Sequence, residues 1–451
     1  MASHPSDHIR DMPLHPSKWT TFGDWDDFLT WCDSTLGSRL VIKYTCTFLA
    51  LVISYIMWCY FRRPINWTRN LIDIGYKHLT DNQSSSHAKR DIINSHRRMR
   101  RMGVKLPPPF PNGWFCVAES DDVPPGKSIS VSCLGNTFAV FRSQETKEVF
   151  ILDAYCPHLG ANLGVGGMVI KDCIECPFHH WKFRGTDGQC VDIPYSCKDT
   201  IPKTAKVKSW TSFEMNGFIY IWHHSDNLSP WDLPRVQEID SGKWIYYGRN
   251  EFYINCHIQD IPENGADVSH LSAIHEAGMF AGSDLRSARL SKWASLGLHA
   301  WDAKWQAMTE EGQHHIAVMS LKHSFKLFNK MDIVKVDITA RQIGPGYVQL
   351  YLVSSFGVMM ALQCVTPVSP FVQKVIHRFY GPDNLLFAKF VVWGETIMFE
   401  RDIMVWNSKQ YIDNPCLVKE DKQIKSFRNW YKQFYSETSP GYSNFNTGLD
   451  W

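Results

Sequence analysis

Two short stretches, each with one cysteine and one histidine, constrain this chain more than any other feature. The residues are Cys156, His158, Cys176 and His179, in the pattern C-x-H-x17-C-x-x-H. Two thiolates can bind one iron of a two-iron cluster while two imidazoles bind the other, and neutral histidine ligands raise the reduction potential above that of an all-cysteine cluster. The pattern therefore predicts a [2Fe-2S] centre that accepts single electrons.

A structural Cys2His2 zinc site uses the same ligand types and is the alternative interpretation. The spacing argues against zinc, because the first pair is C-x-H rather than C-x-x-C, and proline, glycine and aromatic residues stand beside the ligands. The pattern resembles that of the Rieske proteins. Respiratory-chain members carry an extra disulfide between the two loops, whereas Leu159, Pro177 and Phe178 leave no cysteine placed for it here. The resemblance is therefore to Rieske oxygenases and their ferredoxins.

Length and composition set the broad class. A chain of 451 residues suggests two or three domains, and 44% apolar with 20% charged residues is typical of a globular protein. The net charge of +2 and the lack of a basic stripe among aromatics argue against a nucleic-acid partner. The 13 scattered cysteines do not resemble a secreted disulfide scaffold, so a reducing cytosol is the expected compartment.

Residues 44–61 form a run of 18 residues without a charge. As a helix this run would span about 27 Å, close to the thickness of a bilayer core. A signal peptide is one alternative, but the run starts some 40 residues in, and Arg62, Arg63 and Pro64 stand where small cleavage-site residues would be needed. A buried core helix is the other alternative. Because basic residues are more frequent after the run than before it, the positive-inside rule predicts a single-pass membrane protein with cytosolic catalytic domains and a lumenal segment 1–43.

The remaining chain divides by composition. Residues 62–106 are polar and basic and predict a linker, which ends in a proline-rich stretch at 106–111. Short alternating runs with turn residues between them then predict a small all-β domain at 107–230 that holds the cluster. Residues 231–451 predict a separate catalytic domain.

This second domain mixes helical and strand-like patterns. Helices are expected over 259–280 and 383–411, and long strands over 333–338, 348–353 and 358–364. An aromatic stripe near the C-terminus, from Ile424 to Tyr435, has helical spacing and predicts a helix docked on its own domain. The predicted fold class is therefore α+β, with an N-terminal transmembrane helix, a small all-β domain and an α+β domain containing an antiparallel sheet.

A second group of metal-ligand types lies early in this domain. Asp267, His270 and His275 have the spacing D-x-x-H-x4-H. Two histidines and one carboxylate on one side of a ferrous ion leave the other side open for dioxygen and substrate. Two nearby histidines alone are a weak signal, but a cluster domain upstream makes the iron interpretation much stronger.

The order of cluster domain, D-x-x-H-x4-H and a late carboxylate resembles the Rieske non-haem iron oxygenases over residues 107–435. The resemblance implies that His270 and His275 bind a mononuclear Fe(II), and that Asp267 is the electron bridge between a cluster histidine and the iron ligands. It implies Asp402 as the third ligand, because an aspartate precedes a tryptophan by four positions in the corresponding family segment. Glu395 and Glu400 are the competing carboxylates. Asn264 occupies a position where the family often has a polar residue near the iron.

The anchor, the proline-rich entrance and the first cluster loop together resemble the Neverland-type cholesterol 7-desaturases. That resemblance implies oxidation of cholesterol to 7-dehydrocholesterol with O2 and electrons from NAD(P)H. No G-x-G-x-x-G turn follows a strand, so a separate reductase is expected to supply the electrons. The family also implies a homotrimer and the endoplasmic reticulum.

Three other functions stay open at this point. A steroid hydroxylase of the same architecture would share every metal ligand. A non-catalytic electron carrier would need only the cluster domain, so the second iron motif counts against it. A zinc-stabilised interaction module would have no redox signal.

Overall fold

The computed structural model describes residues 26–27, 29–30, 39–71, 73–80, 82–83, 85–99, 105–197, 201–291, 297–328, 330–383, 385 and 387–445. The chain divides into two compact units, residues 1–63 and 64–451. Most of the predicted lumenal segment 1–43 lies outside the described residues.

In the first unit, helix α1 (Arg39–Arg62) contains the predicted apolar run. Its segment Val41–Cys59 is long and apolar enough to cross a membrane, and none of that segment is buried. The helix continues past the predicted span of 44–61 at both ends. It has the length and the apolar surface of a membrane anchor.

The second unit begins with a strand rather than with a linker. Strand β1 (Ile65–Arg69) pairs in parallel with a strand of the large sheet, and its side chains alternate between half-buried and exposed. Arg69 Nε also lies 2.8 Å from Glu400 Oε1. The basic composition of 62–106 concealed this short alternation, because Arg69 supplies one of the inward positions. Helices α2 (Lys77–Thr80) and α3 (Ser86–Met99) follow.

The small β domain contains three sheets. Their strand orders are β10-β5-β4-β3, β11-β12-β2 and β6-β7-β8-β9. The strands are β2 (Gly113–Glu119), β3 (Ser128–Cys133), β4 (Asn136–Arg142), β5 (Val149–Asp153), β6 (Met168–Ile170), β7 (Cys173–Glu175), β8 (Lys182–Arg184), β9 (Cys190–Asp192), β10 (Ser209–Trp210), β11 (Ser212–Met215) and β12 (Phe218–His223).

The large domain is built on one eight-stranded sheet of order β1-β13-β19-β18-β17-β16-β15-β14. Strand β1 pairs with β13 in parallel, and all other neighbouring strands of this sheet pair antiparallel. The strands are β13 (Trp244–Ile254), β14 (Gly297–Ala307), β15 (Ile316–Leu327), β16 (Met331–Ile343), β17 (Tyr347–Ser354), β18 (Gly357–Ser369) and β19 (Val372–Pro382). The predicted α+β class with an antiparallel sheet is confirmed.

The two faces of this sheet bury different partners, because successive side chains of a strand point to opposite faces. On β18, Leu362 and Cys364 pack with Trp114 and Tyr220 of the small β domain. Ala361 of the same strand instead packs with residues of a long helix, α8 (Ala388–Trp406). The sheet therefore lies between the small β domain and α8.

The remaining helices are short. They are α4 (Gln237–Asp240), α5 (Asp260–Glu263), α6 (Val268–Ile274), α7 (Leu285–Ala288) and α9 (Lys422–Tyr431). The helix predicted over 383–411 is confirmed as α8, and the predicted C-terminal docking helix is confirmed as α9, which buries Phe427, Trp430 and Tyr431. The helix predicted over 259–280 is interrupted between α5 and α6, where Asp267 caps a new helix.

Candidate metal centre and the adjoining cavity

The two loops with the Cys-His pairs have the same backbone hydrogen bonds. Cys156 N donates to Ala161 O and Gly160 N donates to Cys156 O, both at 2.9 Å. In the second loop, Cys176 N donates to Trp181 O at 2.8 Å and His180 N donates to Cys176 O at 3.1 Å. Gly160 and His180 occupy equivalent positions and both have positive φ, 74° and 61°. The loops are therefore two copies of one tight turn.

This arrangement brings the four predicted cluster residues together. The Cys156 and Cys176 side chains are buried, whereas the rings of His158 and His179 are half-buried, with their centroids 4.7 Å apart. Burial, with a smaller contribution from the neighbouring Cys176, raises the pKa of the Cys156 thiol to about 11. Two crowded thiols beside two imidazoles are a donor set that fits an iron cluster, since a bound cation stabilises the deprotonated thiols.

A second group of ligand types lies between α6 and α8. One ligand atom from each of His270, His275 and Asp402 lies within 4.8 Å of the other two. Asp402 Oδ1 is 3.1 Å from His275 Nε2 and 4.0 Å from His270 Nε2. The group is largely buried, and two imidazoles with one carboxylate are the donors that suit a ferrous ion.

The competing carboxylates on α8 are engaged elsewhere. Glu400 pairs with Arg69, and Glu395 accepts a hydrogen bond from Asn250 while its other oxygen lies 2.6 Å from His377 Nδ1. Neither belongs to the three-residue group.

Neighbouring groups orient the three side chains. Asp267 is the N-cap of α6, where its carboxylate accepts from His270 N at 3.3 Å. His270 Nδ1 contacts the Asp267 carbonyl, which directs Nε2 towards Asp402. Asn264 Nδ2 donates to Asp402 Oδ1 at 3.1 Å. Among the described residues, no hydrogen bond or ion pair joins Asp267 to His158 or His179.

Arg401, which the sequence analysis did not single out, connects the two elements that carry this group. Its side chain is fully buried, and burial lowers the pKa of its guanidinium. The guanidinium donates to four backbone carbonyls in the segment 274–282, which contains His275. They are those of Ile274, Ala277, Gly278 and Gly282. These bonds fix the His275 segment on α8, one residue from Asp402. The sequence could have indicated this role, because Arg401 is a charged residue within a largely apolar helix.

A cavity extends from this group along the sheet. The part beside His270, His275 and Asp402 has a volume of about 240 Å³. A second part of about 250 Å³, which we call the apolar chamber, lies between strands β14–β19 and α8 and is lined mainly by aliphatic and aromatic side chains. The two parts share the side chains of Trp301, Leu350, Glu395 and Met398. An apolar ligand in the chamber would therefore lie next to the three-residue group.

Two further histidines line the apolar chamber. His299 on β14 and His323 on β15 face the same side of the sheet, and His299 Nδ1 lies 2.6 Å from His323 Nε2. Burial lowers the pKa of His299 to about 2, helped by the proximity of the titratable His323, and burial lowers the pKa of His323 to about 4. The pair is therefore neutral at physiological pH. Neither residue has a carboxylate at informative spacing, so the sequence did not mark them.

Comparisons with known proteins agree with this architecture. A model of the Rieske [2Fe-2S] domain matches residues 113–210, and a model of the 3-ketosteroid 9alpha-hydroxylase C-terminal domain matches residues 221–435. The cholesterol 7-desaturase nvd of Drosophila melanogaster is 46% identical over 89% of this chain and 93% of its own length. The Xenopus laevis protein of the same name is 43% identical over 87% and 86%.

More distant similarities include one curated protein and two solved structures. The Rhodococcus rhodochrous protein named "Probable 3-ketosteroid-9-alpha-monooxygenase, oxygenase component" is 28% identical over 75% of this chain and 83% of its own. A crystal structure of dicamba monooxygenase bound to 3,6 dichlorosalicylic acid has a TM-score of 0.53 at 14% identity, over 72% of this chain and 96% of that one. Pseudomonas putida CBB5 NdmA also has a TM-score of 0.53, at 16% identity, over 75% and 91%. At these identities the structural likeness concerns the fold.

The cluster domain, the sheet and the second ligand group define a Rieske-type non-haem iron oxygenase, an oxidoreductase. Within that class, the chain belongs to the cholesterol 7-desaturase family.

Proposed function

We propose that this protein is a membrane-anchored sterol desaturase that converts cholesterol to 7-dehydrocholesterol. The observation that carries the proposal is the apolar chamber, which shares its wall with the His270–His275–Asp402 group. The choice of sterol is supported by the relatives named cholesterol 7-desaturase, which are up to 46% identical. An anchor also suits a substrate that partitions into lipid.

The reaction removes two hydrogen atoms from the sterol B ring and forms a carbon–carbon double bond. Those two hydrogens, two external electrons and two protons together reduce one dioxygen to two waters. We assign the [2Fe-2S] cluster to Cys156, His158, Cys176 and His179, and the ferrous ion to His270, His275 and Asp402. When bound, the cluster supplies single electrons and the ferrous ion supplies the activation of dioxygen.

The protein's own residues orient and enclose the substrate. Apolar side chains from β14–β19 and α8 exclude water from the chamber and hold the rings against Trp301 and Leu350, which also border the ligand group. Asn264 holds Asp402 by a hydrogen bond, and Asp267 holds His270 through the cap of α6. We further assign Asp267 as the electron bridge to a cluster histidine.

Electrons are proposed to come from NAD(P)H through a separate reductase, and the assembly is proposed to be a homotrimer. In such a trimer, the cluster of one subunit would serve the iron of its neighbour. Two features support this. Asp267 has no bond to the cluster histidines of its own described chain, and Leu159 and Phe178 next to those histidines are 65% and 58% exposed. Apolar side chains at such positions are suited to a protein interface.

We place α1 in the endoplasmic reticulum membrane, with the catalytic domains in the cytosol. Residues 62–81 carry more basic residues than residues 24–43, and the positive-inside rule favours this orientation.

The test is to incubate a membrane fraction containing this protein with cholesterol, NADPH and a reductase, and to look for a conjugated-diene sterol. The wild type should form it, and His270→Ala should not, while His314→Ala serves as a control because His314 lies outside the site. Equal product from His270→Ala would show that the proposed iron site is wrong.

The second candidate is a steroid hydroxylase, favoured by the match of residues 221–435 to the 3-ketosteroid 9alpha-hydroxylase C-terminal domain. Mass spectrometry separates the two, because a hydroxylated sterol gains an oxygen atom whereas a desaturated one loses two hydrogens.

A further inference from the structure

The apolar chamber contains few polar side chains, and most of them are already satisfied. Trp301 Nε1 donates to His275 O, and the Ser354 hydroxyl donates to Gly357 O while it accepts from Phe356 N. Glu395, at the boundary with the metal-ligand group, is engaged by Asn250 and His377.

The His299–His323 pair is the exception. His299 is 9% exposed, and its Nε2 atom is buried without a hydrogen-bond partner. His323 uses Nε2 to bond His299, and no hydrogen bond to its Nδ1 comes from any described residue. Leaving such nitrogens unpaired in an apolar environment costs free energy, so an unfilled hydrogen-bonding position of this kind is suited to a ligand.

The chemistry of the pair selects the ligand group. Two neutral imidazoles joined by one hydrogen bond always present one N–H donor and one lone-pair acceptor at their outer nitrogens, whichever tautomer is present. A hydroxyl group can use either, since it both donates and accepts. A saturated hydrocarbon can use neither.

The His299–His323 pair lies close to the metal-ligand group. Trp301 lies between the pair and His275. Its ring centroid is 4.3 Å from that of His323 and 6.5 Å from that of His275. A sterol carries its hydroxyl on the ring fused to the one that would be oxidised. A hydroxyl held at the pair thus leaves the neighbouring ring directed towards the metal ligands.

We propose that the His299–His323 pair binds the sterol hydroxyl and so selects which carbons face the metal-ligand group. This inference rests on the proposed function for the identity of the ligand. It adds a specificity-determining pair that contacts the substrate away from the reacting atoms.

The test measures binding rather than turnover. The full-length, metal-loaded protein in detergent is titrated with cholesterol and with 5-cholestene, which lacks the hydroxyl, and Kd is read from the change in tryptophan fluorescence. The wild type should bind cholesterol at least about tenfold more tightly, the effect of one well-formed hydrogen bond. In the double variant His299→Leu/His323→Leu, which removes both imidazoles, the two Kd values should become equal, and His299→Gln/His323→Gln, which keeps donors and acceptors there, should recover part of the preference.

Ser354→Ala is the matched control, because Ser354 lines the same chamber but its hydroxyl is already bonded, so the preference should not change. The circular dichroism spectrum and the mononuclear iron content confirm that the large domain of each variant is folded. The inference is overturned if His299→Leu/His323→Leu keeps the wild-type preference, or if the wild type binds the two sterols equally or binds neither. If the preference behaves as expected but cholesterol is not desaturated, the proposed function fails and the binding role stands.

Discussion

At the scale of single residues, burial of a histidine makes folding depend on pH. His223 at the end of β12 has its pKa lowered to about 4, chiefly by burial and also by the nearby charge of Lys208. Below about pH 6.5 the unfolded chain binds a proton that the folded chain does not bind, so this residue makes stability fall as the pH falls towards 4.

His223→Gln should remove this dependence. Between pH 7 and pH 5 the wild type should lose about 2 kcal/mol more unfolding free energy than the variant, measured by urea denaturation at both pH values. His224→Gln is the control, because the His224 ring is less buried than that of His223 and, of the two, only His223 has its pKa lowered to about 4, so the effect of His224→Gln on the pH profile should be smaller. Parallel pH profiles for wild type and His223→Gln would contradict this account.

At the scale of secondary-structure elements, α6 has a cap whose structural and electronic roles can be separated. Asp267→Asn keeps an N-cap side chain but removes the charge, whereas Asp267→Ala removes both. We expect Asp267→Asn to keep the stability and iron content of the wild type and to lose most sterol oxidation. Asp267→Ala should in addition lose about 1 kcal/mol of stability. Full activity in Asp267→Asn would exclude the electron-bridge role.

Arg401 joins two elements, and its removal should loosen the site between them. Arg401→Met leaves buried carbonyls of the 274–282 segment without their donor, which should lower the unfolding free energy by about 3 kcal/mol. The mononuclear iron bound per protein should fall while the [2Fe-2S] absorbance stays, because, among the described residues, the Arg401 guanidinium bonds only to the large domain. Arg401→Lys should recover part of the iron. Wild-type iron content in Arg401→Met would show that the Arg401 hydrogen bonds do not position His275.

The sequence predicted those elements whose hydrophobic periodicity or ligand spacing lies within one short segment of the chain. The strands at β16, β17 and β18 and the helix α8 have strong periodicity, and the ligand types at Cys156 and Cys176 have informative spacing. Strand β14 was missed because Gly297–Ala307 contains small and charged residues that weaken its alternation. The His299–His323 pair could not be predicted, because the register of β14 against β15, which places Trp301 opposite His323, is a tertiary property.

At the scale of the whole molecule, the proposed trimer predicts that two inactive variants can complement each other. Cys156→Ser should lose the cluster and His270→Ala the mononuclear iron. If one subunit's cluster serves its neighbour's iron, assemblies purified through a different tag on each variant should regain sterol oxidation. Each variant purified alone is the control. Mixed assemblies that stay inactive, with both subunits present, would contradict transfer between subunits.

We propose that this Rieske-type oxygenase removes hydrogen from cholesterol rather than adding oxygen to it. The most direct test is the mass spectrum of the sterol formed from cholesterol under isotopically labelled dioxygen, with NADPH and a reductase. We predict a sterol that is lighter than cholesterol by two hydrogens, with a conjugated diene and no labelled oxygen. A product that carries the label in a new hydroxyl group would contradict the account.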